Sequence, residues 1–529
     1  MTPDYLIVGS GLSALVFGAL MAKAGNKVQI IEAHEYPGGF GHTFTYGKYY
    51  KFNAQLHYVW GCGEGQTVNR ILKHLNIDQK VTFEQYDPNG YDHMKMPGYS
   101  LEITGDSQLL ISRLSQLFPK YATNINNFIL EVEKITTAID RLSSAGFNLE
   151  LIKLPKAALD VLKYQKSTLQ DVFDQFGLPK EAQTLLALQW PDFLLPPNQL
   201  SFHAWVLLFT GYQKGAFYPT MHFEHVINSL VEIIEANNGT IVYNQEVVDF
   251  VVDNKTVTGV IAKDLITVQE SAQDESQNNT QDSAQEYGQV HEYAGKNIIC
   301  NMDPQKAADM IGADKFSNSI RKKLDYEYSA SNFMAYCAVR DLDLKKYGFG
   351  KWNVFHTGSS DLNETFKAMY QNHDYSNPSF AICTPGFLTE EASDRPDGQQ
   401  IIEFLTVADY DYFKNLKDTD KRAYRKKKKE ILNTMIDIVE QNYIPDFRKH
   451  LVFKITGSPT TNERFCWCPK GNSYGSILTP ENMNIDRLNQ KTSFKNMYFC
   501  NASSGFAGFA GTFWTGAKLY QKLSGDRII

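Results

Sequence analysis

What this 529-residue chain lacks narrows its function early. It has no excess of positive charge. Its 52 Lys and Arg stand against 59 Asp and Glu, a net charge of −7, so no nucleic-acid partner is expected. Its seven cysteines are odd in number and scattered. Cys466 and Cys468 form a lone C-x-C with no second pair, so neither a disulfide framework nor a metal site is expected. That usage suits a reducing, cytoplasmic setting. No apolar run reaches the roughly 18 residues that cross a bilayer; the longest is AWVLLF at Ala204–Phe209. No charged leader with an apolar stretch precedes the first strand, YLIVG from Tyr5. There is no G-x-S-x-G, no H-E-x-x-H, no P-loop and no fixed-period repeat.

Aromatic residues are plentiful, at 13% of the chain. They imply either a large packed core or an aromatic-lined substrate tunnel. The opening reads as strand, tight turn, helix and strand: YLIVG, SGLSALVFGALMAKAG and KVQIIEA, with Gly25 as the helix stop. A polar, helical stretch from about Gly65 to Leu200 follows, then the aromatic segment FHAWVLLFTGYQKGAFYPTMHF and a set of strands up to KTVTGVIAKD. Residues 269–289 are polar and almost free of large apolar groups, which reads as a flexible insertion between two strands.

Gly9, Gly11 and Ala14 form G-x-G-x-x-A directly after a strand and at the start of a helix. The first glycine permits the tight turn. The second admits a pyrophosphate to the helix N-terminus, and the third position serves helix–strand packing, where Ala is tolerated. Glu32 closes the second strand about twenty residues later, where an acid accepts a hydrogen bond from a ribose hydroxyl. A short loop beyond it, Gly38 and Gly39 allow a second close backbone approach to a diphosphate, and His42, which follows, is either a phosphate contact or a solvated loop histidine. No second G-x-G-x-x-G follows a strand, so the chain has no dedicated second dinucleotide domain.

This glutamate-to-paired-glycine spacing resembles the FAD-binding opening of amine oxidases and phytoene desaturases. Further along, the chain resembles the phytoene desaturase, carotenoid isomerase and retinol saturase superfamily nearly end to end. FNAQLHYVWG at Phe52–Gly61 is similar to F-D-x-G-x-H-Y, departing at Asn53 and Gln55. In AFYPTMHF, Tyr218 and Pro219 match, while Met221 and His222 stand where the family has paired glycines. NIICNMDP at Asn297–Pro304 resembles V-I-x-N-A-D-P, and TGSPTTNERF with KGNSYGS resembles T-P-x-T…G-x-x-Y-G. NMYFCNASSGFAGFAGTFWTGAK resembles the closing flavin motif, with Asn501 and Ala502 in place of Gly-Asp and with Gly508, Gly511 and Thr512 keeping the small-residue turn.

The resemblance implies an α/β fold in which a Rossmann-like FAD-binding domain is intertwined with a substrate domain of mixed sheet and helices. The FAD-binding part falls on 1–65, 210–305 and 455–529, and the substrate part on 66–209 and 306–454. FAD is the implied cofactor, held by Gly9, Gly11, Ala14, Glu32, Gly38, Gly39, His42, Val247, Asn501, Gly508, Gly511 and Thr512. The implied substrate is a small apolar polyene, worked on by desaturation, saturation or isomerisation. His57, Tyr58, His222 and Tyr474 are the catalytic candidates, and each has plain packing as its alternative. Two other readings stay open: an amine-oxidase-like enzyme for a smaller polar metabolite, and a non-catalytic flavin-binding subunit. The basic run at 421–429 is either a solvated helix face or a peripheral contact with anionic lipid. The oligomeric state is left open.

Overall fold

A computed structural model describes residues 2–145, 155–267, 285–390 and 392–529. Its organising element is a five-stranded parallel sheet in the order Thr240–Val242, Val28–Ile31, Tyr5–Val8, Asn297–Cys300 and Met497–Phe499. The registers Tyr5↔Val28 and Tyr5↔Asn297 show all three inner strands starting level. Such strands are covered on both faces and therefore read as nearly unbroken apolar runs. Leu6, Ile7, Ile298 and Ile299 are fully buried accordingly.

Helix Leu12–Lys23 is buried almost all round, from Leu12 to Ala22. A helix apolar on every face must be enclosed, and helices Gly508–Ser524 and His222–Ala236 pack against it. Gly516 makes the first of these contacts close. A Cβ there would lie 2.5 Å from the Ser13 carbonyl oxygen, so the last helix of the chain meets the first almost backbone to backbone. The Rossmann-like α/β fold implied by the motifs is the fold observed.

Two further sheets frame the site. Strands Gln245–Asp253, Thr256–Thr267 and Gln285–Ala294 form an antiparallel layer. The polar insertion expected at 269–289 lies outside the described residues up to 284; its last residues belong to strand Gln285–Ala294. A seven-stranded sheet runs in the order Leu451–Gly457, Ser331–Arg340, Gln399–Ala408, Phe380–Cys383, Asn353–His356, Asp92–Met96 and Tyr99–Ile103. Its last two strands form a hairpin inside the stretch read above as helical. DHMKM and YSLEI are only five residues each, and of their buried positions, Asp92, Met94, Met96, Leu101 and Ile103, the first is polar. Asp92 is fully buried.

Candidate functional site

One cavity of about 1010 Å³ joins the parallel sheet to the seven-stranded sheet. Its size stands at the upper end of single-ligand pockets. At one end it is walled by the turn from Gly9 to Ser13, by Glu32, by Gly38 and Gly39, and by Val247. Gly9 has φ +91°, a conformation that a side chain disfavours, and it turns the first strand directly into the helix. The paired-glycine loop docks on this turn: the Gly38 N–H donates to the Ser10 carbonyl at 2.9 Å. Gly11 supplies no side-chain cap, so first-turn N–H groups of the helix are left without intrahelical partners at the cavity wall.

Glu32 is buried beneath the turn. Its Oε2 accepts from the Ser10 N–H and hydroxyl, both at 2.6 Å, and its Oε1 accepts from the His34 N–H at 2.8 Å. Burial pushes its carboxyl up from the ordinary range, against these three bonds. Ala14 is fully enclosed in the helix packing and does not reach the cavity. His42 does not line it either. Its Nδ1 sits 2.7 Å from the Gly39 carbonyl, and its ring stacks on His34.

Sequence reasoning passed over Asn301, the asparagine of NMDP. Its Oδ1 accepts the Gly11 N–H at 2.8 Å, and its Nδ2 donates to Ser13 Oγ at 3.0 Å. Sequence reasoning also passed over Arg487, which is buried on the cavity wall. Its Nε donates to the Gly505 carbonyl at 2.6 Å and its Nη2 to the Ala502 carbonyl at 2.7 Å. No carboxylate pairs with it among the described residues, and burial lowers it to about 10. Nothing in the local sequence marks this arginine, because its partners are backbone carbonyls.

The closing motif forms the wall beside Arg487. Asn501 ties two strand ends together: its Nδ2 donates to the Met302 carbonyl at 3.0 Å, and its Oδ1 accepts from the Ser504 N–H at 3.0 Å. Gly508, Gly511 and Thr512 bring the N-terminus of the last helix to the same cavity, again without a side-chain cap. Two helix N-termini and a buried guanidinium without an acidic partner therefore face one space, an arrangement that favours an anionic ligand. The residues fit a dinucleotide.

The other end is mostly apolar, with Ile139, Leu142, Phe193, Leu207 and Leu208 among its walls. His57, Tyr58 and Tyr474 open onto it. His57 is buried with Nδ1 unpartnered, and burial lowers it to about 4, so its imidazole is neutral. Gln55 presents an unpartnered Nε2, while its Oε1 accepts from Asn332 at 2.7 Å. His222 lies outside the cavity: its Nε2 is 2.9 Å from Asp394 Oδ2, and its Nδ1 is 3.3 Å from the Tyr218 hydroxyl.

A buried acidic cluster completes this end. The Tyr58 hydroxyl lies 2.8 Å from Asp192 Oδ2 and 3.1 Å from Asp92 Oδ2. Asn353 Nδ2 donates to Asp92 Oδ1 at 3.2 Å, and Gln189 Nε2 donates to Asp92 Oδ2. Burial pushes Asp92 up to about 7 and Asp192 well above the carboxylate range. These carboxyls went unnoticed in the sequence because each stands alone in its own segment.

The NAD(P)-binding Rossmann-like domain family matches residues 7–75. Along its length the chain is similar to the all-trans-retinol 13,14-reductase of Danio rerio, at 22% identity over 97% of this chain and 84% of that protein. The chloroplastic prolycopene isomerase of Daucus carota is 20% identical over 96% of this chain and 77% of that one. Among solved structures, putrescine oxidase bound to putrescine superposes with a TM-score of 0.64 at 12% identity, covering 99% of this chain and 100% of that one. At such identity the last likeness is one of fold alone. Over nearly its whole length, then, this chain is similar to enzymes named for retinol reduction and prolycopene isomerisation, carried on the Rossmann-like fold of oxidoreductases.

Proposed function

We propose that the protein is a FAD-dependent oxidoreductase or isomerase acting on carbon–carbon double bonds of an apolar, polyene-like substrate such as a carotenoid, retinoid or unsaturated lipid. One observation carries this reading: a single cavity has a dinucleotide cradle at one end and an apolar chamber with buried acid groups at the other. Gly9, Gly11, Gly38 and Gly39 would let backbone approach the diphosphate, with Glu32 toward the ribose and Val247 toward the adenine. Arg487 would balance negative charge, and the helix beginning at Gly508 would direct its positive end at the ring system. When bound, a flavin supplies a hydride acceptor or donor, which is what desaturation and saturation both need. The chain's own work is to exclude water with apolar walls, to orient the polyene along them, and to hold a proton at the acid cluster.

The test is an absorbance spectrum of the purified protein before and after anaerobic reduction, followed by a polyene panel under both conditions. Flavin bands that bleach on reduction, with conversion of a polyene, support the reading. A colourless protein that refuses added FAD overturns it. Oxygen uptake with small amines, and none with polyenes, points instead to the polar-metabolite reading.

Peripheral membrane contact belongs to the same proposal. No helix among the described residues is long and apolar enough to cross a membrane. On helix Lys421–Asn442, Lys427 is engaged with the His373 carbonyl at 2.8 Å and Lys428 lies over the Tyr424 ring, while Arg422, Arg425, Lys426 and Lys429 are exposed. Each such charge near anionic lipid is worth about 1 kcal/mol. Replacing these four with glutamine should abolish sedimentation with phosphatidylserine vesicles; unchanged sedimentation removes the idea.

A further inference from the structure

We propose that Asp192 is the acid–base residue of the cavity and that Asp92 and Tyr58 are positioning residues that govern its proton. The inference rests on the polyene reading above, but its geometry stands independently of the cofactor. Asp192 comes from the turn after Trp190 and lies on the cavity wall. Its Oδ1 has no hydrogen-bond partner and is 4.0 Å from His57 Nε2. Its other oxygen shares the Tyr58 hydroxyl with Asp92.

A phenol carries one proton and donates it to one acceptor at a time. Two buried carboxyls joined through one hydroxyl cannot both be anionic unless a cation balances them. No lysine or arginine forms an ion pair with either carboxyl among the described residues. The titratable groups facing Asp192 are Asp92, His57, Tyr58, Tyr212, Tyr474 and Cys383; Tyr86 and Tyr91 stand against Asp92. Tyr212 stacks flat on Tyr58, with ring centroids 4.0 Å apart, and fixes the direction of its hydroxyl.

The two carboxyls are not equivalent. Asp92 takes donors from Asn353, Gln189 and Tyr58, so it is the better seat for negative charge. It is also sealed from the cavity. Asp192 lies on the cavity wall and its Oδ1 is unpartnered, so a carboxyl proton held there is not committed to a protein acceptor. His57 beside it is neutral and holds no surplus proton at neutral pH. Asp192 is therefore the group that can give and take one.

In reduction of a double bond, the O–H bond of the Asp192 carboxyl breaks and a C–H bond forms at one alkene carbon. A reduced flavin, when bound, would supply the hydride and its electron pair that the other carbon needs. Asp192 is left as a carboxylate beside Asp92, the arrangement the site least tolerates, and it regains a proton from water as product leaves. Desaturation runs the same transfers in reverse, with Asp192 as the base.

The test uses the full-length protein in two measurements. The first is an infrared titration of the protonated carboxyl band from about pH 5 to about pH 9, which requires no turnover. Wild type should show a buried protonated carboxyl at neutral pH. Asp192→Asn should remove one component of it, the buried Glu403, pushed up to about 8 by burial, supplying another. Asp92→Asn should move the Asp192 component's midpoint to lower pH, because the neighbouring negative charge is gone. Tyr58→Phe should move the midpoint upward, and it serves if Asp192→Asn does not fold. A band that none of these variants alters overturns the proposal. The second measurement is turnover of the polyene identified above, in deuterated water. Asp192→Asn should retain its flavin spectrum and lose roughly a hundred- to ten-thousand-fold in rate, and wild type should place solvent deuterium at the carbon that Asp192 protonates. Full turnover in Asp192→Asn overturns the proposal. Failure of all polyenes with an intact carboxyl titration instead counts against the functional reading alone.

Discussion

The carboxamide of Asn301 closes over the N–H of Gly11 at 2.8 Å, so the end of the Asn297–Cys300 strand holds the turn that opens the first helix. Its Nδ2 also reaches Ser13 Oγ and the Cys500 carbonyl, which joins three remote parts of the chain at the dinucleotide cradle.

Gly11→Ala should disrupt that cradle. A Cβ at residue 11 would lie 2.4 Å from Asn301 Oδ1, so the carboxamide must move. The expected outcome is loss of flavin on purification, with stability lowered by about 1–3 kcal/mol. Flavin absorbance per protein and a urea unfolding curve check both effects.

Arg487→Met should separate ligand binding from folding. It removes the guanidinium that has no acidic partner and leaves the Gly505 and Ala502 carbonyls without their side-chain donors. Affinity for FAD should fall at least tenfold, about 1.4 kcal/mol, measured by fluorescence titration of the apoprotein. Unchanged affinity would place the diphosphate away from this residue.

Stability should carry the signature of Asp92. Its ordinary value of 3.8 is raised to about 7 by burial, so the native state binds a proton that the unfolded chain has released. That contribution is fully present below about 3.8 and is lost as pH rises through about 7. His57, lowered to about 4, has the opposite sign and gains over its own window as pH rises. The comparison is therefore between wild type and Asp92→Asn. Thermal unfolding from about pH 5 to about pH 8 should show wild type losing stability relative to the variant. Parallel curves would remove Asp92 as the source.

Gly516→Val tests the contact between the first and last helices. A Cβ there meets the Ser13 carbonyl at 2.5 Å and the Val16 Cβ at 3.0 Å, and neither can retreat from a packed core. Overpacking of this kind costs about 1–3 kcal/mol, which a lowered melting temperature would report. The flavin spectrum of the surviving folded fraction is the second readout, because this helix begins at the cavity.

His222→Gly restores the residue type that the resemblance leads one to expect there. The residue has φ +64°, where glycine is at ease, but the change also removes the bond to Asp394. Asp394 keeps its pairing with Arg395 through Oδ1 but loses its partner on Oδ2, so stability should fall by about 1–3 kcal/mol, while turnover should persist because the side chain lies outside the cavity. A loss of turnover in the folded variant would return His222 to the catalytic set.

The parts of the site legible in the sequence are those with a local signature. Gly9, Gly11, Glu32, Gly38 and Gly39 fall within one strand–helix–strand unit, where each spacing has a backbone reason. Gly508 and Gly511 open a helix in the same recognisable way. His57, Tyr58 and Tyr474 came from motif resemblance and all open onto the cavity, whereas His42 and His222, chosen on similar grounds, pack elsewhere. Position in a motif brings a backbone to the site, but the rotamer and its neighbours decide where the side chain ends.

From the sequence by itself came the Rossmann-like opening and the acid at the end of the second strand, because these rest on periodicity and on spacings of a few residues; the polyene-enzyme reading came from resemblance to a known family's motifs. Only the tertiary structure decided that Asp92, Tyr58 and Asp192 meet, that Arg487 is a buried cation held by carbonyls, and that Asn301 closes the glycine turn. Tyr58 is 34 residues from Asp92 and 134 from Asp192, and Asn301 is 290 from Gly11. No local pattern spans such distances. The contacts exist because burial of the sheet faces brings remote segments together, and burial also gives a lone carboxyl or guanidinium its unusual charge state.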